Sequence, residues 1–498
     1  MFTPWVGAGL LALPRRGGGH GLALTFSLST LGLGLLAAAR FERGNPAYQF
    51  VEQHAWIAAL NVHYHLGLDG MSLLLVLLTG ILAPLGLLAS WRHAREARFF
   101  GFLFLLLQGS ALGVFLALDF FHWFVFWELS LVPAFFLIKL WGGPDAPRAA
   151  YQFVIYTLAG SAFLLLGFAA IFVATGTLDF PALAQLAADG SLGHRLGELG
   201  GVWPRVVFLG IFLGLAVKVP LFPFHSWMPP AYAEAPTGVS MFLTGVMSKM
   251  GLYGFFRILW PLFPGPLQAA AGGLVWLALG GVVLGAFAAM RQTDLKRMIA
   301  YSSLNHVSYC LLALFAVAGR RPLPGGDAAA AALSGALLQM FNHGLSAAAL
   351  FFGVGVLESR SGGRREVGDF GGVRSAAPIF AGLCGVALFS SLGLPGLNGF
   401  VGEWLIFRGV FGLISWAAAV SCLGLFATAF FLLSFWQRVF HGPRAGAAAG
   451  PFADLSAREG LTLGPLVGLM FAFGIFPQLL TGLINPLILS WIGRISPP

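Results

Sequence analysis

The sequence predicts an all-α, polytopic membrane protein, and three observations carry that prediction. Of its 498 residues, 58% are hydrophobic and 9% are Asp, Glu, Lys or Arg, where an ordinary soluble domain has about 25% charged. Mean hydropathy is +0.84. Apolar runs such as LLLVLLTGILAPLGLL, from Leu73 to Leu88, recur along the whole chain. Lipid forces each spanning segment to satisfy its own backbone polar groups, and a helix does so without partners. A β-barrel would instead alternate apolar and polar residues over short segments. The 28 basic and 19 acidic side chains are too few to clothe a soluble chain of this size. Forty-eight Phe and 14 Trp are the reverse of a disordered composition.

Taken in order, the first apolar run, 1–13, is short for a span and either tilts into a thinned bilayer or begins upstream of Met1. Further runs fall at 21–39, 71–91, 99–118, 121–141, 149–176, 204–224, 239–260, 266–290, 298–318, 328–357, 376–406, 411–439 and 460–492. Each is close to or above the roughly 20 residues that cross the hydrocarbon, which gives about fourteen transmembrane helices in all. Assigning the loops alternately to two sides places sixteen Lys and Arg on one side, Arg15, Arg16, Arg92 and Arg95 among them. Nine fall on the other, including Arg40, Arg257, Arg321 and Arg408. The richer side is read as cytoplasmic, with both termini outside. The net charge of +9 is then a topology signal and not a nucleic-acid surface. No cleavable signal is recognisable, because Pro14-Arg15-Arg16 follows the first apolar run. The stretch 177–203 has helical apolar spacing and is expected on the membrane surface or against a neighbour.

The sequence offers no site for a redox group. Cys310, Cys384 and Cys422 lie in apolar runs without metal-ligand or haem-attachment spacing, as small packing residues do. No Walker lysine motif and no GxGxxG after a strand occurs, and the loops are too short for a nucleotide-binding domain. This chain is therefore expected to bind no cofactor and no metal.

Ionisable residues inside the spans are the informative ones, since each costs about 3 kcal/mol or more at the bilayer centre unless paired or solvated. Glu128, Lys218, Lys249 and Glu403 stand out, against the bland reading of snorkelling or static ion pairs. Lys139, beside Trp141-Gly142-Gly143, reads as a snorkeller. Lys218 precedes Val219-Pro220 and Pro223, and Glu403 follows Leu394-Pro395-Gly396 and Asn398-Gly399, so both helices should unwind at membrane depth. Two interrupted helices in corresponding positions point to an internally repeated ion transporter. The spacing fits two inverted five-helix repeats, each broken in its fourth helix. The expected divisions are N-terminal helices at 1–98, a first repeat at 99–260, a second at 266–440 and a C-terminal loop and last helix at 441–498.

The second repeat supplies His306 and His343 at mid-span, with Ser302, Ser303, Asn305, Ser308, Asn342 and Ser346 as groups able to hold water. A line of Glu, Lys, Lys, His and Glu is what a proton relay needs, because burial and neighbouring charges move such groups toward physiological pH. His225 reads equally as relay or packing residue. Asp119, His122, Asp294 and Glu234 lie near span ends and read as caps.

These residues carry a resemblance. Lys218-Val-Pro-Leu-Phe-Pro-Phe-His225-Ser-Trp227, running on to Glu234-Ala-Pro-Thr and Ser248-Lys249-Met-Gly-Leu-Tyr-Gly, is similar to the signature of the antiporter-like subunits of complex I, the proton-pumping NADH:quinone oxidoreductase. Trp127-Glu128-Leu-Ser-Leu-Val-Pro, Asp294-Leu-Lys-Arg-Met-Ile-Ala-Tyr-Ser-Ser-Leu-Asn-His306 and Gly-Leu-Pro-Gly-Leu-Asn-Gly-Phe-Val-Gly-Glu403 match it as well. Glu at 403 resembles chain M (mitochondrial subunit 4), where the paralogous chains L and N usually carry Lys. The resemblance implies that Glu128 and Lys218 form an ion pair whose separation tunes the lysine. Lys249, His306 and His343 would form the central relay, and Glu403 would lead to the outer half-channel. It implies NADH, FMN, iron–sulfur clusters and quinone in partner subunits, the two paralogous antiporter-like subunits as neighbours, protons as cargo, and a bacterial cytoplasmic membrane. Tyr232 departs from the pattern, standing where this family often has His. The alternatives are a subunit of a multisubunit cation/proton antiporter or membrane-bound hydrogenase, and a passive scaffold, which the charges beside helix breaks disfavour.

Overall fold

The computed structural model describes residues 1–13, 18–91, 96–320, 326–450 and 452–495. Arg15, Arg16, Arg92, Arg95 and Arg321 of the charge count lie outside those residues. The chain opens with α1 (Thr3–Ala12) and α2 (Gly19–Arg40). It then makes an antiparallel hairpin, β1 (Gln49–Ile57) with β2 (Val62–Leu68), where the sequence reading expected only a loop. Asn61 turns the hairpin with φ of 48°, a conformation Asn tolerates better than most residues.

Asp69 caps α3 (Gly70–Ala89) by accepting from the Ser72 amide at 2.9 Å. After α4 (Ala97–Leu116), the expected span 121–141 consists of α5 (Phe120–Leu129), capped by Asp119, and α6 (Leu131–Trp141). Next come α7 (Ala146–Thr175), the short α8 (Phe180–Ala188) and α9 (Ser191–Glu198), and α10 (Trp203–Lys218). The stretch expected to be amphipathic is thus two helices that bury Leu183, Leu192 and Leu196.

Beyond the break after Lys218 lies α11 (Met228–Glu234), then a continuous helical run of α12 (Thr237–Phe242), α13 (Ser248–Gly254) and α14 (Trp260–Leu262). Wider π-helical turns over Leu243–Met247 and Phe255–Leu259 join those three. The second half comprises α15 (Pro264–Met290), α16 (Leu295–Ala318), α17 (Gly326–Arg360), the single turn α18 (Val373–Ala376), α19 (Pro378–Ser391), α20 (Asn398–Leu413) and α21 (Ser415–Phe440). Two-residue strands β3 (Phe370–Gly371) and β4 (Ala445–Gly446) pair beside α21, and α22 (Ala457–Ile475) and α23 (Gln478–Ile495) end the chain.

Among the described residues nine helices are long and apolar enough to cross a membrane, or eleven if two bent pairs count as one span each. The other three expected spans coincide with the ten-residue α1, the π-interrupted run from α12 to α14, and the broken pair α19 and α20. The expected single span 460–492 is instead α22 and α23, bent by 62° at Phe476-Pro477. Arg257 and Arg408, read as loop residues, lie within helical segments, because the apolar runs around them continue past the charge.

Burial separates inner from outer helices. Exposed Ile155, Leu166 and Val173 of α7, and Phe426 and Phe430 of α21, form apolar faces suited to lipid. α16 and α17 are buried almost all round and occupy the centre, and that is where the ionisable groups gather.

Candidate functional site: a buried polar run

The two helix breaks set the site. At the first, α10 stops at Lys218, and the Trp227 indole donates to the freed Val217 carbonyl at 3.0 Å. At the second, the chain leaves α19 at Ser391 and re-enters helix at Asn398. Gly393 and Gly396 there have φ of 72° and 92°, which favours glycine. Asn398 staples this break to α17. Its carbonyl accepts from Asn342 Nδ2 at 2.7 Å, its Nδ2 donates to Asn342 Oδ1 at 3.2 Å, and its Oδ1 accepts from Ser390 at 2.6 Å. The staple lies one residue from His343 on α17 and five from Glu403 on α20, so it fixes both.

Lys249 projects from α13 just after the first π-helical turn. That turn presents the Thr244 carbonyl to its own side chain, and Nζ donates there at 2.7 Å and to Ser248 Oγ at 3.3 Å. Its third partner is His343 Nδ1, at 2.7 Å. The His343 and His306 rings lie 5.4 Å apart between centroids. His306 Nδ1 is 3.0 Å from Glu403 Oε1, and Gln339 Nε2 donates to the same oxygen at 3.1 Å. The run Lys249, His343, His306, Glu403 therefore crosses from α13 through α17 and α16 to α20, with every member no more than 5% exposed. His306 Nε2, His343 Nε2 and Gln339 Oε1 are buried without a hydrogen-bond partner among the described residues.

Lys218 stands apart from this run. Its Nζ donates to Ser130 Oγ at 3.3 Å and lies 4.9 Å from the Trp127 ring centre. Glu128 makes no ion pair with it within 4 Å, and Glu128 Oε1 is buried without a partner among the described residues. The ion pair implied by the resemblance is thus open here, with Ser130 taking the place of the carboxylate at the ammonium. No hydrogen bond joins Lys218 directly to Lys249 among the described residues.

Of the expected water-holding groups, Ser303 reaches Thr244 Oγ1 at 3.0 Å and Asn342 holds the break. Ser308 and Ser346 bond back to their own helices, and Asn305 donates to the Val282 carbonyl. His225 stacks on Phe222 outside the run, and Tyr232 is buried with its hydroxyl donating to the Leu243 carbonyl at 3.2 Å. Lys139 reaches Tyr151 at the rim of its helix. Asp119 and Asp294 are caps as expected, but Glu234 is buried in an ion cluster with Arg365. Sequence reasoning missed Gln339, whose signal was an amide one turn from His343 in an apolar helix. It also missed the cluster of Arg365, Lys296 and Glu358, which only the fold brings together.

Comparison with known proteins identifies the family. Residues 117–430 match the transmembrane family model of NADH:quinone oxidoreductase and Mrp antiporters, and residues 47–116 match the amino terminus of NADH-ubiquinone oxidoreductase chain 4. NADH-quinone oxidoreductase subunit M of Rhodobacter capsulatus is 35% identical over 494 residues, covering 97% of this chain and 94% of the relative. F(420)H(2) dehydrogenase subunit M of Methanosarcina mazei is 36% identical, covering 92% and 90%. A chain of respiratory complex I from Thermus thermophilus superposes with a TM-score of 0.85 at 30% identity, covering 99% of this chain and 98% of that one. A chain of the Mrp complex from Dietzia has a TM-score of 0.83 at 22% identity over 99% and 97%, a likeness of fold. With the family model spanning more than half its length and full-length relatives above 30% identity, the chain belongs to the NADH:quinone oxidoreductase/Mrp antiporter transmembrane family and carries the chain 4 amino terminus.

Proposed function

We propose that the chain is the M-type proton-translocating subunit of a quinone-reducing complex I, and that Glu128, Lys218, Lys249, His343, His306 and Glu403 carry the proton. The observation that supports this reading best is the contiguous contact run of four ionisable side chains from Lys249 to Glu403, buried in the interior of the helix bundle. An inert span gains nothing from four buried ionisable groups, each costing about 3 kcal/mol in hydrocarbon. A relay needs them, because each member must accept a proton on one side and release it on the other.

The chemistry proceeds stepwise. Lys249 passes a proton to His343 Nδ1 along their hydrogen bond. The two imidazoles exchange it by ring rotation or through a bridging water, which their unpartnered Nε2 atoms can bind. His306 delivers it to Glu403, whose carboxylate Gln339 holds in place. Upstream, Lys218 is loaded or emptied as Glu128 approaches or withdraws, since an opposite charge nearby favours the ammonium. The two broken helices belong to two inverted five-helix units, at 99–260 and 266–440, so that uptake and release use related half-channels.

The driving energy arrives from quinone reduction in partner subunits, which hold NADH, FMN, iron–sulfur clusters and quinone, while the paralogous antiporter-like subunits flank this chain in a bacterial cytoplasmic membrane. The Methanosarcina relative is named for a different electron donor, which fits a chain that works on protons alone. A second reading, a subunit of a cation/proton antiporter, follows from the shared family model. The two separate in membrane vesicles. Pumping that follows quinone reduction and survives without added Na⁺ or K⁺ supports the first, and cation-for-proton exchange without electron transfer supports the second.

A further inference from the structure

One loop arginine joins the two halves of the molecule on the side read as cytoplasmic. Arg365, between α17 and α18, donates Nη2 to Glu234 Oε1 at 2.5 Å and Nη1 to the Ala233 carbonyl at 3.0 Å. Its Nε lies 2.6 Å from Asp294 Oδ2, and Nη1 lies 3.9 Å from Glu358 Oε1. The other Glu358 oxygen holds Lys296 Nζ at 2.7 Å, and Lys296 also donates to the Ala235 carbonyl at 3.4 Å. Backbone bonds from Leu295 to Arg365 and from Val367 to Thr293 fix the loop against the start of α16.

Each partner sits at the end of an element that matters to the polar run. Glu234 is the last residue of α11, the half-helix that follows the break beyond Lys218. Asp294 caps α16, which carries His306 about 18 Å further along its axis. Glu358 lies in the last turn of α17, about 22 Å from His343. A guanidinium fork can hold three carboxylates in fixed directions, which a lysine cannot.

The opposite end of the Lys249 helix is held differently. Arg257 pairs with Asp69 at 2.5 Å with both side chains 5% exposed or less, so that end is anchored. Around Arg365 burial is uneven: Glu234 is 1% and Asp294 12% exposed, while the arginine is 18% and Glu358 24% exposed, so water can replace the Glu358 contact as the elements part. One end of the Lys249 helix is fixed while the other meets a cluster that can rearrange.

We propose that Arg365 is a positioning residue that transmits displacement of α11, the half-helix beyond Lys218, to α16 and α17, and so sets the Lys249–His343 and His306–Glu403 contacts. The proposal rests on the relay reading given above. Its test places Arg365→Gln, Arg365→Lys and Glu358→Gln in the complex assembled in its own membrane, with Lys218→Ala in parallel. Complex content, electron transfer to quinone and protons pumped per electron are measured in inverted vesicles. The expected result is normal content with a loss of protons pumped per electron in Arg365→Gln and Glu358→Gln, and partial recovery in Arg365→Lys. A wild-type ratio in Arg365→Gln or in Glu358→Gln, or failure of both Gln variants to assemble, overturns it, since the first two mean no coupling through the cluster and the last a purely structural role. A wild-type ratio in Lys218→Ala would instead sink the relay reading, whatever the Arg365 variants do.

Discussion

Lys249 and His343 share a 2.7 Å hydrogen bond that both positions of a proton satisfy. As an ammonium, Lys249 has three donors and three acceptors around it: the Thr244 carbonyl, Ser248 Oγ and His343 Nδ1. As a neutral amine it offers a lone pair, and the imidazole can donate from Nδ1 instead. The proton can move between the two nitrogens without a change of heavy-atom geometry, which lowers the cost of transfer in a core that excludes bulk water.

Replacing His343 with Ala removes the acceptor and leaves Lys249 facing an apolar gap. Carrying charge across that gap costs about 3 kcal/mol or more, so transfer should slow on the order of a hundredfold. Proton pumping by membrane vesicles should collapse with the complex still assembled. Pumping at the wild-type rate would remove His343 from the path.

Lys218 and Glu128 should behave as a pair although they do not touch here. Either Lys218→Ala or Glu128→Ala is expected to abolish proton transfer through this chain, and the double variant should cost no more than the single ones, because groups acting as a unit are not additive. Ser130→Ala removes the hydroxyl at Nζ and should have a smaller effect, of about 1 kcal/mol, than the loss of Glu128. Proton pumping against electron-transfer rate in the four variants distinguishes these outcomes, and equal losses for Ser130→Ala and Glu128→Ala would count against a separable pair.

The spans were legible because lipid rewards long apolar runs, and Lys218, Lys249 and Glu403 were legible because charge is rare within them. Proline and glycine announced both breaks. The hairpin 49–68 was not, since its strands mix polar and apolar residues and border apolar helices that dominate any hydropathy window. Arg257 was read as a loop residue because its partner Asp69 is remote in sequence, and a lone charge reads as an end unless its counter-ion is known. The partners of Gln339 and Arg365 were hidden for the same reason: they lie on other elements, which spacing along one element does not encode.

Close approach of α17 and α20 holds Gln339 against Glu403, and Gly335 makes that approach possible. A methyl group there would lie 2.5 Å from the Ile406 amide nitrogen and 2.8 Å from the Gly402 carbonyl oxygen, both backbone atoms that cannot rotate away. Gly335→Ala should therefore push the helices apart at a cost of about 1–3 kcal/mol. It should also weaken the Gln339–Glu403 bond one turn away. Lower thermal stability of the purified complex together with reduced pumping is the expected pair of results, and unchanged stability would show that the helices can separate freely.

The loop after α21 supports the start of α19. Asp454 accepts from the amides of Ile379 and Phe380, each at 2.9 Å, and so caps α19, whose own N-cap residue, Ala377, provides no side-chain acceptor. Partial burial alone would raise the Asp454 carboxyl, but the amides of Ile379, Phe380 and Leu455 and the nearby Arg360 hold it below its usual value. A depressed carboxylate stabilises the fold above its unfolded value of about 4, and the contribution is lost as pH falls through the lower folded value. Asp454→Ala should cost about 0.5–2 kcal/mol at neutral pH, the range for a lost helix cap. The difference between variant and wild type should shrink below about pH 4, where the wild-type carboxyl is neutralised too. Protease cleavage within 441–456, followed across pH in membrane vesicles, measures both effects. A variant cleaved no faster than wild type at neutral pH would show that Asp454 does not hold the start of α19.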